Sequence, residues 1–496
     1  RETLELFVEG LASAEAREVC RGSEWNDNVH RNPVSHAVKL HEGFVLRTAE
    51  DGQNLLSRYR AVAERIDQRI AVLRNGAEDG LYASRRSLER LVALVDRQLA
   101  EPVDKWAMLE PAAAVPDGWA ADAHRRFADD LRAVVADEVK PAFERYRAFV
   151  AETLVPNARG DDAEGIVHLP VGKACYEAEI RHHTTLSLSA AEVHQIGLDE
   201  IARLDREIAE LGAKALSTTS LVETLDRLRS DEALYFQTED EVEQAAIASL
   251  ARAKEAMPEY FGLLPRADCV VRRVPSFEAP QTHIGYYEPP HADGSKPGEY
   301  FINVYAPKTR PRFEARVLAV HESIPGHHLQ TAIAQEREAL PAFRRHAGYG
   351  AYVEGWALYT ERLGEQMGLY ETDLDRLGVL SFDAWRAGRL VVDTGVHAMG
   401  WTRAQAEAFL LEHTALTKDN IVNEVDRYIG WPGQALGYKL GQRHILELRA
   451  KAEAALGESF SLPEFHDVVL GGGPVTLPVL GRRVQAWIDG GSNGRG

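Results

Sequence analysis

At 496 residues the chain is long enough for two or three lobes around a generous core, and 45% hydrophobic with 27% charged residues is an ordinary globular balance. A formal charge of −19 argues against a nucleic-acid partner, which needs a basic face, and disfavours an anionic membrane surface. No apolar run of roughly eighteen residues offers a membrane span.

Residues 1–155 predict successive amphipathic helices, with heptad-like apolar spacing in Leu55–Leu73 and Ser84–Leu99 and no visible chemistry. This stretch is assigned a scaffolding or cleft-wall role. A connector rich in Gly, Asp and Pro follows at Pro156–Gly172, opening a helical region over 156–265. Within it Ser189-Ala-Ala-Glu192 is a capping box for a helix to about Leu211, and Thr238-Glu-Asp-Glu241 opens another to about Phe261. Character changes in the third region, 266–490. Cys269–Val274 and Tyr300–Tyr305 are short β-prone runs around a turn region at Glu288–Gly298, which predicts a small sheet. Such a sheet either offers an edge strand to an extended peptide or is a plain hairpin in the wall. Residues 491–496 read as a flexible tail.

The most informative stretch is His321-Glu-Ser-Ile-Pro-Gly-His-His-Leu-Gln330. A His-Glu pair followed closely by His is how helical zinc hydrolases hold a metal and a general base, usually with the two His one turn apart. Here Pro325 occupies the fifth position. A helix beginning after Thr309, with Pro311 in its first turn, would need a break at Pro325-Gly326 to bring a later histidine back. Acting as a two-residue bulge, Pro-Gly moves His327 into place; His327 is favoured as ligand, with His328 the alternative. The best third ligand is Glu354, on an apolar helical face with Val353, Trp356 and Ala357, because an acid there is costly unless paired or metal-bound. Glu361, beside Arg362, competes from what reads as a wetter end of the same helix.

Beyond Glu354 the chain reads as helical to its end, with another capping box at Thr402–Gln405. Arg389, Asp393 and His397 are four apart on one face, as an ion-pair ladder or as groups at a pocket rim. The segment Tyr428–Gln442 is dense in polar donors around Pro432-Gly433 and suits a cleft edge.

Three segments together, His-Glu-x-x-Pro-Gly-His-His-Leu-Gln, Glu354-Gly-Trp-Ala357 and Pro432-Gly-Gln-Ala-Leu-x-Tyr-Lys439, resemble the DUF885 proteins. That family consists of predicted zinc-dependent, gluzincin-like bacterial and archaeal peptidases. The resemblance runs from about Tyr176 to Trp487, through Arg181-His-His-Thr-Thr185, Gly285-Tyr-Tyr287, Asp393-Thr-Gly-Val-His397 and Phe465-His-Asp467. It implies a mainly α, multi-helix zinc-peptidase fold with a small β-sheet next to the metal-binding helix, and a glutamate as third ligand.

The expected activity is zinc-dependent cleavage of amide bonds in short peptides, in carboxypeptidase or dipeptidyl-carboxypeptidase fashion. Zinc would be held by His321, His327 and Glu354, with Glu322 as general base. Tyr438 is the oxyanion donor, with Tyr428 in reserve, and Arg389, His397 and Lys439 are candidates for gripping a substrate carboxylate. Two other readings stand beside it: a zinc enzyme acting on a non-peptide amide or biosynthetic intermediate, and a non-catalytic helical binding protein. Oligomeric state is open. Three widely spaced cysteines, Cys20, Cys175 and Cys269, predict no disulfide framework and no Cys-x-x-Cys metal site. That fits a cytoplasmic location. A secreted or periplasmic one stays open, since the chain starts at Arg1 rather than Met and a signal peptide could precede it.

Overall fold

The computed structural model describes residues 2–493 other than 42, 43, 45, 114, 117, 277, 278, 280–282, 292 and 293. The anticipated capping boxes start their helices. Ser189 caps Ala190–Leu216, Thr238 caps Glu239–Tyr260 and Thr402 caps Arg403–His413, each with the reciprocal side-chain bond from the third helical residue. In the N-terminal lobe the heptad-like runs become the helices Ala49–Glu78 and Arg85–Ala100, which both pack on the helix Lys140–Phe149 and contribute Leu55, Tyr59, Val62, Ile66 and Ile70 of the first and Leu88, Leu91 and Val95 of the second to one cluster. That cluster continues through Ile166, Tyr176 and Ile180 to Leu390, Leu436 and Leu440, so the lobe is packed onto the helices that carry the polar cleft. Of the expected tail, residues 494–496 lie outside the described residues, and 491–493 finish the helix Leu477–Asn493.

The fold is mainly α with one small sheet, in which β1 (Cys269–Arg273), β2 (Gly285–Glu288) and β3 (Gly298–Ile302) stand in the order β1-β3-β2. The two runs read from sequence are not a hairpin: β1 and β3 pair in parallel, Cys269 opposite Gly298 and Arg273 opposite Ile302. The hairpin partner of β3 is β2, with Tyr286 opposite Phe301 and their rings stacked 4.8 Å apart. Residues 292 and 293 of the anticipated turn region lie outside the described residues.

Two further expectations are corrected. The helix carrying His321 is Ala315–Glu322, not one beginning after Thr309. Arg310 and Pro311 are engaged elsewhere: Phe236 donates its N–H to the Arg310 carbonyl at 3.0 Å, and Pro311 bridges Tyr235. The chain then makes the short 3₁₀ turn Arg312–Glu314, seated against Gly378, before the α-helix can form.

The cysteine expectation is also overturned, because Cys20 and Cys175 are joined in a disulfide across 155 residues, leaving Cys269 as a buried free thiol. The bond ties the N-terminal segment to the helix Gly172–Thr184, where Arg17, Glu179 and His182 add hydrogen bonds between the same two pieces. Closing so long a loop restricts the unfolded chain, so Cys20→Ser should cost about 2–5 kcal/mol. Denaturant melts with and without reductant check this, and equal midpoints for the variant and the oxidised wild type would contradict it.

Candidate active site

The Pro-Gly break is a full interruption between two helices. The first ends at Glu322, Ser323–Gly326 leave the helical path with a cis Ile324–Pro325 bond, and His327–Gln335 forms the second. Gly326 donates its N–H to Val320 O at 3.0 Å, lying so close on the first helix that a Cβ there would stand 2.0 Å from the His321 carbonyl oxygen. Only glycine fits. The helix Gly350–Gln366 crosses this break, and Trp356 donates its indole N–H to the Pro325 carbonyl at 2.9 Å. Glu354, two residues earlier, is thereby set against both histidines.

The result is a three-donor cluster. Glu354 Oε2 lies 3.5 Å from His321 Nε2 and 3.6 Å from His327 Nε2. Ligand atoms on a tetrahedral zinc stand roughly 3.3 Å apart, given metal–ligand bonds of ~2.0–2.1 Å. These residues are therefore spaced as such an ion requires, and Glu354 Oε2 is buried with no hydrogen-bond partner. His328 is held elsewhere. Its Nε2–H donates to Ala267 O at 3.0 Å and its Nδ1 accepts from Tyr287 OH at 3.1 Å, in space that Gly298 leaves free. Of the two candidates, the structure brings His327 to the cluster and uses His328 to pin the helix to the sheet.

Glu361 is where sequence reasoning misjudged the environment. It is only 1% exposed, not at a wet helix end, and its Oε1 accepts the Nδ1–H of His321 at 2.7 Å. This bond fixes the tautomer that presents Nε2 to the cluster. Glu354 and Glu361 are seven residues apart, two turns along one helical face, the one sequence signal that could have linked them.

Burial pushes the Glu322 carboxyl up to about 7, with Glu354 adding to the rise and His321 opposing it. Burial also opposes ionisation of Glu354, but His327 and His321 outweigh it and hold its carboxyl at about 2. His327 is lowered to about 4 by burial, while in His321 the neighbouring carboxylates of Glu354 and Glu361 overcome burial and raise it to about 9. An anionic Glu354 and a neutral His327 are the states a cation needs, and His321 has to give up its Nε2 proton when one binds.

The cluster lies in a cavity of about 2580 Å³, whose walls include β2, the helix Asp373–Ala398 and helices of the N-terminal lobe. Tyr438 reaches it from the helix Leu436–Leu456, which meets the Glu354 helix closely at Gly355 and Gly441. Its ring lies under the Arg389 guanidinium, 4.4 Å away. Arg389 also lines the cavity, but it is engaged: Nε donates to Tyr428 OH at 3.0 Å and Nη2 to Glu424 at 3.1 Å. Tyr428 lies behind it, donating to Glu424 at 2.6 Å.

Two expected carboxylate grips sit away from the cavity. Lys439 is 1% exposed and bound to Asp383 at 2.5 Å and Glu200 at 3.1 Å, an internal ion pair of the helix bundle. His397 accepts from Ile166 N–H at 3.2 Å and donates to Tyr428 O at 2.9 Å, fully used as a packing bridge. Nor do Arg389, Asp393 and His397 form a ladder, since Asp393 accepts instead from Tyr176 OH at 2.6 Å and Gly433 N–H at 3.0 Å. The cation that sequence reasoning missed is Arg386, one turn before Arg389 and lining the cavity. In composition it is one arginine among many.

Among the described residues no helix is long and apolar enough to cross a membrane. No curated protein matches the chain significantly. The chain is similar to a solved "putative lipoprotein" from Colwellia psychrerythraea, at 31% identity and TM-score 0.88, over 94% of this chain and 81% of that one. A "putative lipoprotein of unknown function" from Shewanella oneidensis shares the fold at 19% identity and TM-score 0.67, over 93% and 83%. The model of the family described as "Bacterial protein of unknown function (DUF885)" matches residues 1–484, and the chain belongs to that family.

Proposed function

We propose that this protein is a zinc-dependent hydrolase of amide bonds in short peptides, working as a carboxypeptidase or dipeptidyl carboxypeptidase. The observation that carries the reading is the convergence of His321 Nε2, His327 Nε2 and Glu354 Oε2 at metal-sharing distances beside a half-buried Glu322. When bound, the zinc supplies Lewis acidity and an acidified water. Glu322 takes the proton from the attacking water and returns it to the departing amine. The Tyr438 phenol, steadied against Arg389, donates to the carbonyl oxygen as negative charge develops there. Glu361 keeps His321 in register throughout.

Two features favour a peptide over a compact amide. The cavity far exceeds the ~300–1,000 Å³ typical of small-molecule pockets. In addition, among the described residues β2 pairs in the sheet with β3 alone, and Gly285, Tyr286 and Tyr287 line the cavity, so its outer edge can take an extended main chain. The Cys20–Cys175 disulfide and the lipoprotein descriptions of the similar structures favour an oxidising compartment outside the cytoplasm.

The test is mass-spectrometric analysis of a graded peptide panel, with free and amidated C-termini, incubated with zinc-loaded protein. Loss of C-terminal residues or dipeptides from the free acids is expected. A zinc-loaded protein that cleaves none of them would move the reading to a non-peptide amide.

A further inference from the structure

Although the whole chain is acidic, its large cavity is not. Eleven arginines and lysines line it against six carboxylates, among the described residues. Most of those acids are committed: Asp27 to Arg69, Asp426 to Arg90 and Arg403, Glu424 to Arg389 and Arg427, and Glu354 to the donor cluster. Several cations have no such partner. Arg31, Lys39, Arg58, Arg65 and Arg97 make no ion pair among the described residues. Arg58 and Arg65 are one heptad apart on the helix Ala49–Glu78, and Arg97 lies on the neighbouring helix Arg85–Ala100, so two helices of the N-terminal lobe turn basic edges to the cleft.

Deep in the same cavity is Arg386, 4% exposed. Its guanidinium packs on the rings of Phe382 and Trp385, 4.2 and 4.1 Å from their centroids. Among the described residues its one hydrogen bond is a long 3.5 Å contact from Nη1 to Phe382 O, and Nε is buried with no partner. An arginine stays charged in a protein; Glu361, Glu424 and Glu322 are near enough to act on this one, but among the described residues none forms an ion pair with it, and a buried charge without a close partner is costly. Arg386 is near enough to the donor cluster for its charge to act on both Glu322 and His327. A bound anion would satisfy it.

We propose that Arg386 is the subsite for a substrate carboxylate beside the reaction centre, and that the unpaired basic wall of the N-terminal lobe extends it, so that the cavity selects acidic peptides. This rests on the hydrolase reading for what happens to the substrate, but the recognition itself is independent of turnover. A cleft of one sign attracts ligands of the other and loses that advantage in salt. Arg386 offers a planar fork to a free C-terminal carboxylate, and Arg58, Arg65 and Arg97 face acidic side chains farther out.

The test uses calorimetric titration of the zinc-loaded Glu322→Gln protein with a short glutamate-rich peptide, its glutamine counterpart and the C-terminal amide of each. The acidic peptide should bind at least about tenfold more tightly than the glutamine one, with the advantage shrinking in salt. Arg386→Met should make free acid and amide bind alike, and Arg386→Lys should restore part of the difference, which separates lost charge from lost packing. Arg65→Ala with Arg97→Ala should reduce the preference for acidic side chains and leave the acid–amide difference intact. Equal binding of acidic and neutral peptides, or tripolyphosphate displacing the acidic peptide at lower concentration than any carboxylate ligand, would overturn the proposal. Acidic peptides bound but never cleaved by the wild type would retain the subsite and remove the hydrolase; neutral peptides bound and cleaved equally well would do the reverse.

Discussion

Replacing Glu322 by glutamine is expected to leave zinc content unchanged and to lower turnover by roughly 10²–10⁴-fold, the range for loss of a positioned general base. Glu322 closes the helix whose preceding residue is His321, so its carboxyl lies next to the donor cluster without belonging to it. Glutamine keeps the shape and cannot accept a proton. The same group sets the pH response. Its carboxyl is raised to about 7 chiefly by burial, so the metal-free site would ionise it only near neutrality. A bound cation favours the ionised form and lowers that value. The base acts only when ionised, so kcat in the zinc-loaded protein should fall as pH drops, with an acid limb centred below 7. A profile whose acid limb persists unchanged in Glu322→Gln would assign the titration to another group.

Glu354→Ala should abolish tight zinc binding, whereas Glu361→Gln should weaken it by about 10–100-fold without abolishing it. The two acids lie on one face of one helix, and both touch His321. They differ in which nitrogen they meet. Glu354 stands at Nε2, where it shares its oxygen with His327, and Glu361 stands at Nδ1, where it can only orient the ring. Competition with a chelator resolves these cases. Full occupancy in Glu354→Ala would move the third ligand to another acid, and an unchanged zinc affinity in Glu361→Gln would deny that residue its orienting role.

Much of this could be read before any coordinates. The capping boxes at Ser189, Thr238 and Thr402 are local chemistry, and each starts its helix where its spacing says. The pairing of His321, Glu322 and Glu354 was visible as well, because an acid on an apolar face demands a reason. What stayed hidden is non-local. Glu361 looks solvated beside Arg362 until the His321 helix covers it. Lys439 looks like a free cation until Asp383 and Glu200 arrive from two other helices. The disulfide joins cysteines 155 residues apart, and no spacing rule reaches that far. Parallel pairing of β1 with β3 depends on β2, whose Gly-Tyr-Tyr-Glu is too short to announce itself as a strand. Arg386 differs from Arg389, three residues on, in making no ion pair among the described residues, a property that exists in three dimensions alone.

The most direct measurement is zinc stoichiometry by elemental mass spectrometry of the wild-type protein beside His327→Ala and His328→Ala. The structure puts His327 Nε2 within reach of Glu354 and commits both nitrogens of His328 to Tyr287 and Ala267. One zinc per chain is expected in the wild type, lost in His327→Ala and kept in His328→Ala. A wild-type protein that holds no zinc after the metal is added back, or one that loses it only in His328→Ala, would contradict that expectation.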